Sequence, residues 1–152
     1  MRTVIQRVTG GSVTVDGEKK SISRGLVILA GITTGDTEED LRWMAEKCIN
    51  LRIFPAVDGG QEGSRFERSV QDIKGDILAV SQFTLYGECR KGRRPDFMRA
   101  AKPEPAKKLY DRFVELLGGY GLKVVTGRFG SMMLVEINND GPVTLIVDSK
   151  KT

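Results

Sequence analysis

The sequence predicts an α/β fold: a compact single domain whose layered, mostly antiparallel or mixed β-sheets curve like a barrel and carry two main helices on one side. Two amphipathic helical stripes stand between groups of short alternating or apolar strand segments, in the order strands, helix, strands, helix, strands. No repeat, linker or shift in composition divides residues 1–152, so we expect one domain.

The first half of the chain supplies strands and one helix. Residues 3–9 and 12–16 alternate on either side of Gly10-Gly11, which predicts a hairpin or a bulged pair, and Asp16-Gly17 predicts a turn. The continuous apolar run 26–32 predicts a buried strand. Thr37 is the expected start of a helix whose apolar stripe has helical spacing. Its members are Leu41, Met44, Ala45, Cys48 and Ile49.

The second half repeats this pattern. Residues 51–54 predict a short strand that ends at Pro55, and the glycine-rich, charged stretch 56–75 predicts a loop. A strand is expected over 77–85, a helix from Pro103 to Gly118-Gly119, and closing strands over 122–125, 132–137 and 143–147. The stripe of the second helix contains Ala106, Leu109, Tyr110, Phe113, Val114 and Leu117.

Composition narrows the function classes. Hydrophobic residues make up 39% and charged residues 29% of the chain, which is typical of a soluble globular protein. No apolar run approaches the roughly 20 residues of a membrane span. The N-terminus alternates like a strand and lacks the apolar block of a signal peptide. We therefore expect a cytoplasmic protein with no membrane partner.

The absence of histidine excludes Ser-His and Cys-His nucleophile pairs and imidazole acid–base chemistry. Cys48 and Cys89 are too few for a disulfide scaffold or a zinc site. We expect no metal site, and we also expect no cofactor. The net charge of +4 is compatible with a polyanionic partner.

Three stretches have residue types suited to chemistry or binding. Ser81-Gln82-Phe83-Thr84 has either ordinary strand-end hydroxyls or unpaired backbone N–H groups that stabilise an oxyanion. Residues 139–144, Asn-Asp-Gly-Pro-Val-Thr, form either a plain β-turn or a rigid loop tip that approaches a ligand. Residues 90–99 hold five cations and one phenylalanine, which suits either a solvated loop or contact with RNA phosphates. Met133 begins a strand or forms an adaptable pocket wall.

Together these motifs, with Thr126-Gly127-Arg128-Phe129, resemble the D-aminoacyl-tRNA deacylase family, also called D-tyrosyl-tRNA deacylases. The resemblance extends through the chain and includes the N-terminal strands and the cationic loop. It implies a homodimer that hydrolyses the ester between tRNA and a D-amino acid, or glycine mischarged on tRNA-Ala. The implied partner is the aminoacylated 3′ end of tRNA, and DNA is not expected.

The resemblance also implies residue roles. The pocket is lined by Ser81 and by the catalytic group Gln82, Phe83 and Thr84, with Met133 beside them. Gly141-Pro142 has a cis bond and enters the partner subunit's pocket, where it rejects L-amino acids, and Arg7 holds it. The expected tRNA contacts are Arg90, Lys91, Arg93 and Arg94.

Two mechanisms are open for this site. In the one we favour, the terminal ribose 2′-OH assists hydrolysis while backbone amides around Gln82 and Phe83 hold the oxyanion. In the other, Thr84 is a nucleophile, although no histidine or adjacent lysine activates it. The chain departs from the family pattern at residues 65–70, where methionine and asparagine are missing, and at residues 86–88.

Two other functions also remain open. One is the sister group that removes L-alanine and has a trans Gly-Pro bond. Arg7 and Gln82-Phe83 favour the D-specific group. The other is a basic RNA-binding module without catalysis, which would bind tRNA in a salt-sensitive way but not hydrolyse it.

Overall fold

The computed structural model describes residues 1–150, which form a six-stranded mixed sheet, a two-stranded hairpin and two helices, and this confirms the predicted α/β class. The strands are β1 (Arg2–Val15), β2 (Glu18–Ile22), β3 (Gly25–Gly31), β4 (Phe54–Asp58), β5 (Gln61–Arg68), β6 (Asp76–Ser81), β7 (Val124–Thr126) and β8 (Leu134–Asp148). The helices are α1 (Glu38–Asn50) and α2 (Pro103–Gly118), and a 3-10 helix (Phe83–Tyr86) follows β6.

The main sheet has the order β2–β1–β3–β6–β7, with β8 along β1. Strand β1 is antiparallel to β2, β3 and β8, whereas β3, β6 and β7 run parallel to one another. Lys123, just before β7, donates a hydrogen bond to the carbonyl of Ser21 on β2 at 3.3 Å. This contact joins the two ends of the strand order, which gives the sheet its barrel-like curvature.

Both helices pack on one face of this sheet. Helix α1 begins at Thr37, whose hydroxyl and the Asp40 carboxylate form a reciprocal capping box, and its whole predicted stripe is buried. Helix α2 buries Phe113 and Leu117, and its Tyr110 hydroxyl donates to the carbonyl of Ala79 on β6 at 2.8 Å. That bond fixes the helix against the strand that leads into the site. Neither helix has the length and apolarity needed to cross a membrane.

Two predicted chain reversals are wrong. Strand β1 runs unbroken through Gly10-Gly11, and β8 runs unbroken through Asn138–Val143, so neither pair of predicted strands is a hairpin. Both halves of β8 pair with the same strand, β1, and therefore share one direction. The alternative of a bulge is correct, because the β1–β8 register shifts between Gln6 and Gly10.

Two further predictions are corrected. The predicted loop over 56–75 is wrong up to residue 68, because Phe54–Asp58 and Gln61–Arg68 form a hairpin closed by Gly59-Gly60, both at positive φ. Pro55 is tolerated in this strand because it sits at a register irregularity of a two-stranded sheet. Residues 69–75 contain no strand or helix, as predicted. The strand predicted over 77–85 ends at Ser81, where the chain turns into the 3-10 helix.

Candidate active site

The end of β6 presents the Ser81-Gln82-Phe83-Thr84 motif. Ser81 pairs with Ala30 of β3, and the Gln82 N–H extends this ladder by donating to the Ala30 carbonyl at 2.8 Å. The 3-10 helix then starts at Phe83, and the first N–H groups of a helix have no acceptor within the helix. The N–H groups of Phe83 and Thr84 thus lack a backbone partner among residues 1–150. The Gln82 N–H, one of the predicted oxyanion donors, is therefore already occupied.

A cleft with a volume of about 640 Å³ opens beside this strand end. Three stretches of chain wall it: the end of β6, the segment that leads into α2, and the segment that leads into β8. Its lining includes Ser81, Gln82, Phe83, Phe97, Ala101, Lys102, Phe129, Met132, Met133 and Val135. The walls are mostly apolar, and Ser81, Gln82, Lys102 and Ser131 are the polar lining residues, so the cleft can hold an apolar group beside a few polar contacts.

Met133 lines the cleft, as the sequence predicted, and Gly127 makes room for it. A Cβ atom at Gly127 would lie closer to the Met133 sulfur than any real contact allows, so the thioether fills the space of the missing side chain. Met132 stands at the rim and is 93% exposed.

Thr84 is near the cleft without lining it. Its hydroxyl is exposed and its only side-chain hydrogen bond among residues 1–150 is with the Gln82 amide group. That amide is not a base, so no group in contact with Thr84 would take its proton. The buried Cys48 is not a nucleophile either, because burial raises the pKa of its thiol to about 12.

Gly141-Pro142 lies in a protrusion of β8 that we call the elbow, residues 140–143. Gln6 pairs with Thr144 and Val8 with Asn139, so the four elbow residues stand opposite Arg7 alone. The Gly141-Pro142 bond is cis, and Gly141 has a φ of +114°.

Arg7 lies opposite this elbow and is only 8% exposed. Its Nε lies 3.0 Å from the Asp140 carboxylate, and its Nη1 donates to the carbonyl of Ile53 at 2.8 Å. The guanidinium also stacks over the ring of Phe66, 5.6 Å from its centroid. Phe66 belongs to the divergent stretch 65–70, so one departure from the family pattern contacts Arg7, the residue opposite the elbow.

The single chain does not bring the elbow to its own cleft. Val135 lines the cleft, and Gly141 is six residues further along β8. At the rise of a β-strand this separation is about 20 Å. Within one subunit, the two motifs therefore occupy different regions.

The cationic loop connects to the cleft. An antiparallel bridge between Glu88 and Asp96 closes it, and residues 89–95 project into solvent. Lys91, Arg93 and Arg94 have no salt-bridge partner among residues 1–150, and Arg90 lies 3.9 Å from Glu88. At the base of the loop the ring of Phe97 packs edge-on against that of Phe83, with centroids 5.2 Å apart.

Lysines near this loop differ in their pairing. Lys107 and Lys108 form ion pairs within α2, with Asp111 and Glu104. Lys102 lines the cleft mouth and has no such partner in the described chain.

Sequence reasoning assigned no role to two residues at the elbow, Phe66 and Asn139. The contact of Phe66 with Arg7 could not be predicted, because residues 56–75 were expected to form a loop. Asn139 belongs to the motif of residues 139–144, but its contacts depend on the pairing of β1 with β8.

Comparison with known proteins agrees with this arrangement. Residues 4–148 match the family model described as D-Tyr-tRNA(Tyr) deacylase. The chain is 58% identical over 149 residues to a D-aminoacyl-tRNA deacylase of Rippkaea orientalis, covering 97% of this chain and 99% of the relative. It is 56% identical over 151 residues to one of Halalkalibacterium halodurans, covering 99% and 100%. A solved structure named c-Myc DNA Unwinding Element Binding Protein superposes with a TM-score of 0.88 at 42% identity, covering 99% and 100%.

Proposed function

The chain belongs to the D-Tyr-tRNA(Tyr) deacylase family, and we propose that it acts in the cytoplasm to release D-amino acids, and glycine mischarged on tRNA-Ala, from the terminal adenosine of tRNA. It is a hydrolase of aminoacyl-tRNA esters. The observation that carries the finer proposal is the Ser81-Gln82-Phe83 stretch on the wall of an apolar cleft, where the N–H groups of Phe83 and of the adjacent Thr84 have no backbone partner among residues 1–150.

Catalysis rests on main-chain atoms and on the RNA. Water attacks the ester carbonyl with assistance from the neighbouring ribose 2′-OH, and the N–H groups of Phe83 and Thr84 stabilise the oxyanion that develops. The products are the free amino acid and tRNA. An aminoacyl ester is already activated, so the absence of histidine is no obstacle.

Chiral selection comes from the Gly141-Pro142 elbow of a second copy. A rigid backbone wall rejects a side chain on the wrong side of Cα, whereas a flexible side chain would move aside. Glycine has no side chain, so the wall admits glycyl esters. The elbow lies about 20 Å along β8 from its own cleft, which supports its use in a partner's cleft.

Strand β8 supports a homodimer. It pairs along one edge only within residues 1–150, and a long unpaired edge is a surface that proteins usually cover. Its Ile146, 69% exposed, is in register with Val4 of β1, which is in register with Leu29 of β3. Leu29 in turn pairs with Val80, which lines the cleft, so an apolar row runs from β8 to the cleft. A second subunit that packs on this row would reach the site.

The tRNA 3′ end is held by the cationic loop, where Arg90, Lys91, Arg93 and Arg94 contact phosphates. Two observations support this assignment: most cations of this loop have no ion-pair partner in the described chain, and Phe97 at the base of the loop packs against Phe83. That DNA is not a partner stays a prediction, since one structural neighbour has a DNA-binding name.

Hydrolysis of matched D- and L-tyrosyl-tRNA tests this function. We expect the D-ester to be cleaved at least about 100-fold faster, because a clash of about 3 kcal/mol suffices for that ratio. Equal rates would remove the chirality claim, and faster cleavage of L-alanyl-tRNA than of the D-ester would favour the sister group. Salt-sensitive tRNA binding without turnover would favour a pure RNA-binding module.

The catalytic role of the backbone predicts opposite results at neighbouring positions. Thr84→Ala should keep the deacylation rate within about threefold of wild type, whereas Phe83→Pro, which removes an N–H, should lower it about 100-fold. Proline is tolerated at the first position of a helix, and Phe83→Ala is the matched control that loses the ring but keeps the N–H. A folded Thr84→Ala variant that loses several orders of magnitude in rate would restore Thr84 as nucleophile.

A further inference from the structure

The side chain of Asn139 lies at the base of the elbow and joins its two ends. Its Nδ2 donates to the carbonyl of Arg7 on β1 and to the carbonyl of Val143, both at 3.0 Å. Arg7 is the residue opposite the elbow, and Val143 is the last elbow residue. One amide group therefore ties the far end of the protrusion to the neighbouring strand.

The orientation of this amide is fixed from its other side. Its Oδ1 accepts hydrogen bonds from the Thr144 hydroxyl at 3.1 Å and from the Gln6 side-chain amide at 3.4 Å. Carbonyl oxygens only accept hydrogen bonds, so the Nδ2 group has to face Arg7 and Val143 while Oδ1 faces the two donors. The amide cannot flip without losing these contacts.

Arg7 and Asn139 hold different ends of the elbow. Arg7 reaches the first elbow residue, with its Nε 3.0 Å from the Asp140 carboxylate. That carboxylate is partly exposed, so solvent weakens the ion pair. Asn139 holds the last elbow residue through its main chain, and Gly141-Pro142 lies between the two attachments.

We propose that Asn139 is a positioning residue that sets the specificity of this enzyme, because its side-chain amide fixes the place from which Gly141-Pro142 screens the handedness of the substrate. The inference rests on the proposed function of the elbow. A wall released at one end moves, and a displacement of about 1 Å is enough to change the fit of a reacting group. Loss of Asn139 should therefore admit L-amino acids, an effect that a general loss of stability does not produce.

Four variants test this role. Asn139→Asp keeps the shape but removes both N–H donors, and Asn138→Asp makes the same chemical change at the adjacent residue, which is exposed. Thr144→Val removes the hydroxyl that orients the amide, and Thr144→Ser keeps it. We expect the D-to-L rate ratio for tyrosyl-tRNA to fall about tenfold in Asn139→Asp, which corresponds to about 1.4 kcal/mol. Thr144→Val should lower it less, and the two controls should keep the wild-type ratio.

A readout independent of activity separates this inference from the proposed function. Hydrogen exchange in the peptide that spans residues 138–145 should be faster in Asn139→Asp than in wild type, and unchanged in Asn138→Asp. If wild type shows no chiral preference but this exchange pattern appears, the proposed role of the elbow fails while Asn139 still holds the elbow. An Asn139→Asp variant with the wild-type ratio and wild-type exchange overturns the inference, and so does an equal change in both aspartate variants.

Discussion

Replacing Gly141 by alanine is expected to lower the rate of D-tyrosyl-tRNA hydrolysis about 100-fold in a protein that still folds. The measurement is the single-turnover rate on D-tyrosyl-tRNA, with circular dichroism as the check on folding. The expected loss has two causes, one in the backbone of the elbow and one in the space around it.

The backbone of Gly141 has a φ of +114°, a conformation that L-residues with a side chain rarely adopt. Alanine at this φ costs about 1–3 kcal/mol. A new Cβ would also lie 2.9 Å from Val143 Cγ2 and 3.0 Å from Arg7 Nη2. Arg7 is buried and tied to Ile53 and Asp140, so it cannot simply swing away. Because the elbow is exposed, relief comes from its displacement.

Gly17→Ala is the matched control for this variant. Gly17 has a φ of +78° in the β1–β2 turn, and no atom lies within 4 Å of the added Cβ. Alanine therefore has an unfavourable backbone conformation in both variants. Each kcal/mol lost from the free energy of unfolding should lower Tm by about 2–4 °C in a chain of this length. Only Gly141→Ala should lose activity. Equal activity in the two variants would show that the position of the elbow does not matter.

The helices could be predicted from the sequence because their signals are local. The stripe of α1, its cap at Thr37 and the proline start of α2 all lie within one or two turns of the residues they organise. No pairing elsewhere in the chain is needed to recognise them, and the structure confirms both helices.

Strand continuity could not be predicted in the same way. Gly10-Gly11 and Asn139-Asp140-Gly141-Pro142 have the composition of turns, yet both lie within unbroken strands. The pairing of β1 with β8 determines that these residues continue a strand, and its partner residues are more than 100 positions apart. Residues opposite each other supply the hydrogen bonds that a turn would otherwise have to make.

In the candidate site, too, local motifs could be predicted from the sequence and contacts between distant residues could not. The motifs Ser81-Gln82-Phe83 and Gly141-Pro142 could be singled out as candidates because each is contiguous in sequence. The bond from the Gln82 N–H to Ala30 and the contact of Phe66 with Arg7 were not found, since each joins separate strands. Spatial neighbours of a motif have no signature in the motif itself.

Gly25 is a second glycine whose replacement should have a large effect, here on stability. We expect Gly25→Ala to lower the free energy of unfolding by about 3 kcal/mol or more, and Tm by about 6–12 °C. A Cβ at Gly25 would overlap the carbonyl oxygen of Asp76 and would lie 2.7 Å from its carbonyl carbon. These are backbone atoms, so no side-chain rotation relieves the clash, and β3 and β6 have to separate where their pairing begins.

This separation would reach the site, because β3 and β6 stay in register from Gly25-Asp76 to Ala30-Ser81. Gly63→Ala is the control, since Gly63 also lies in a strand, β5, and its added Cβ meets only one atom, at 3.9 Å. Thermal unfolding should show a large loss for Gly25→Ala and little change for Gly63→Ala. A Gly25→Ala variant as stable as wild type would mean that the two strands can part at this point without cost. The close approach at Gly25 would then not be what aligns the strand that leads to Ser81.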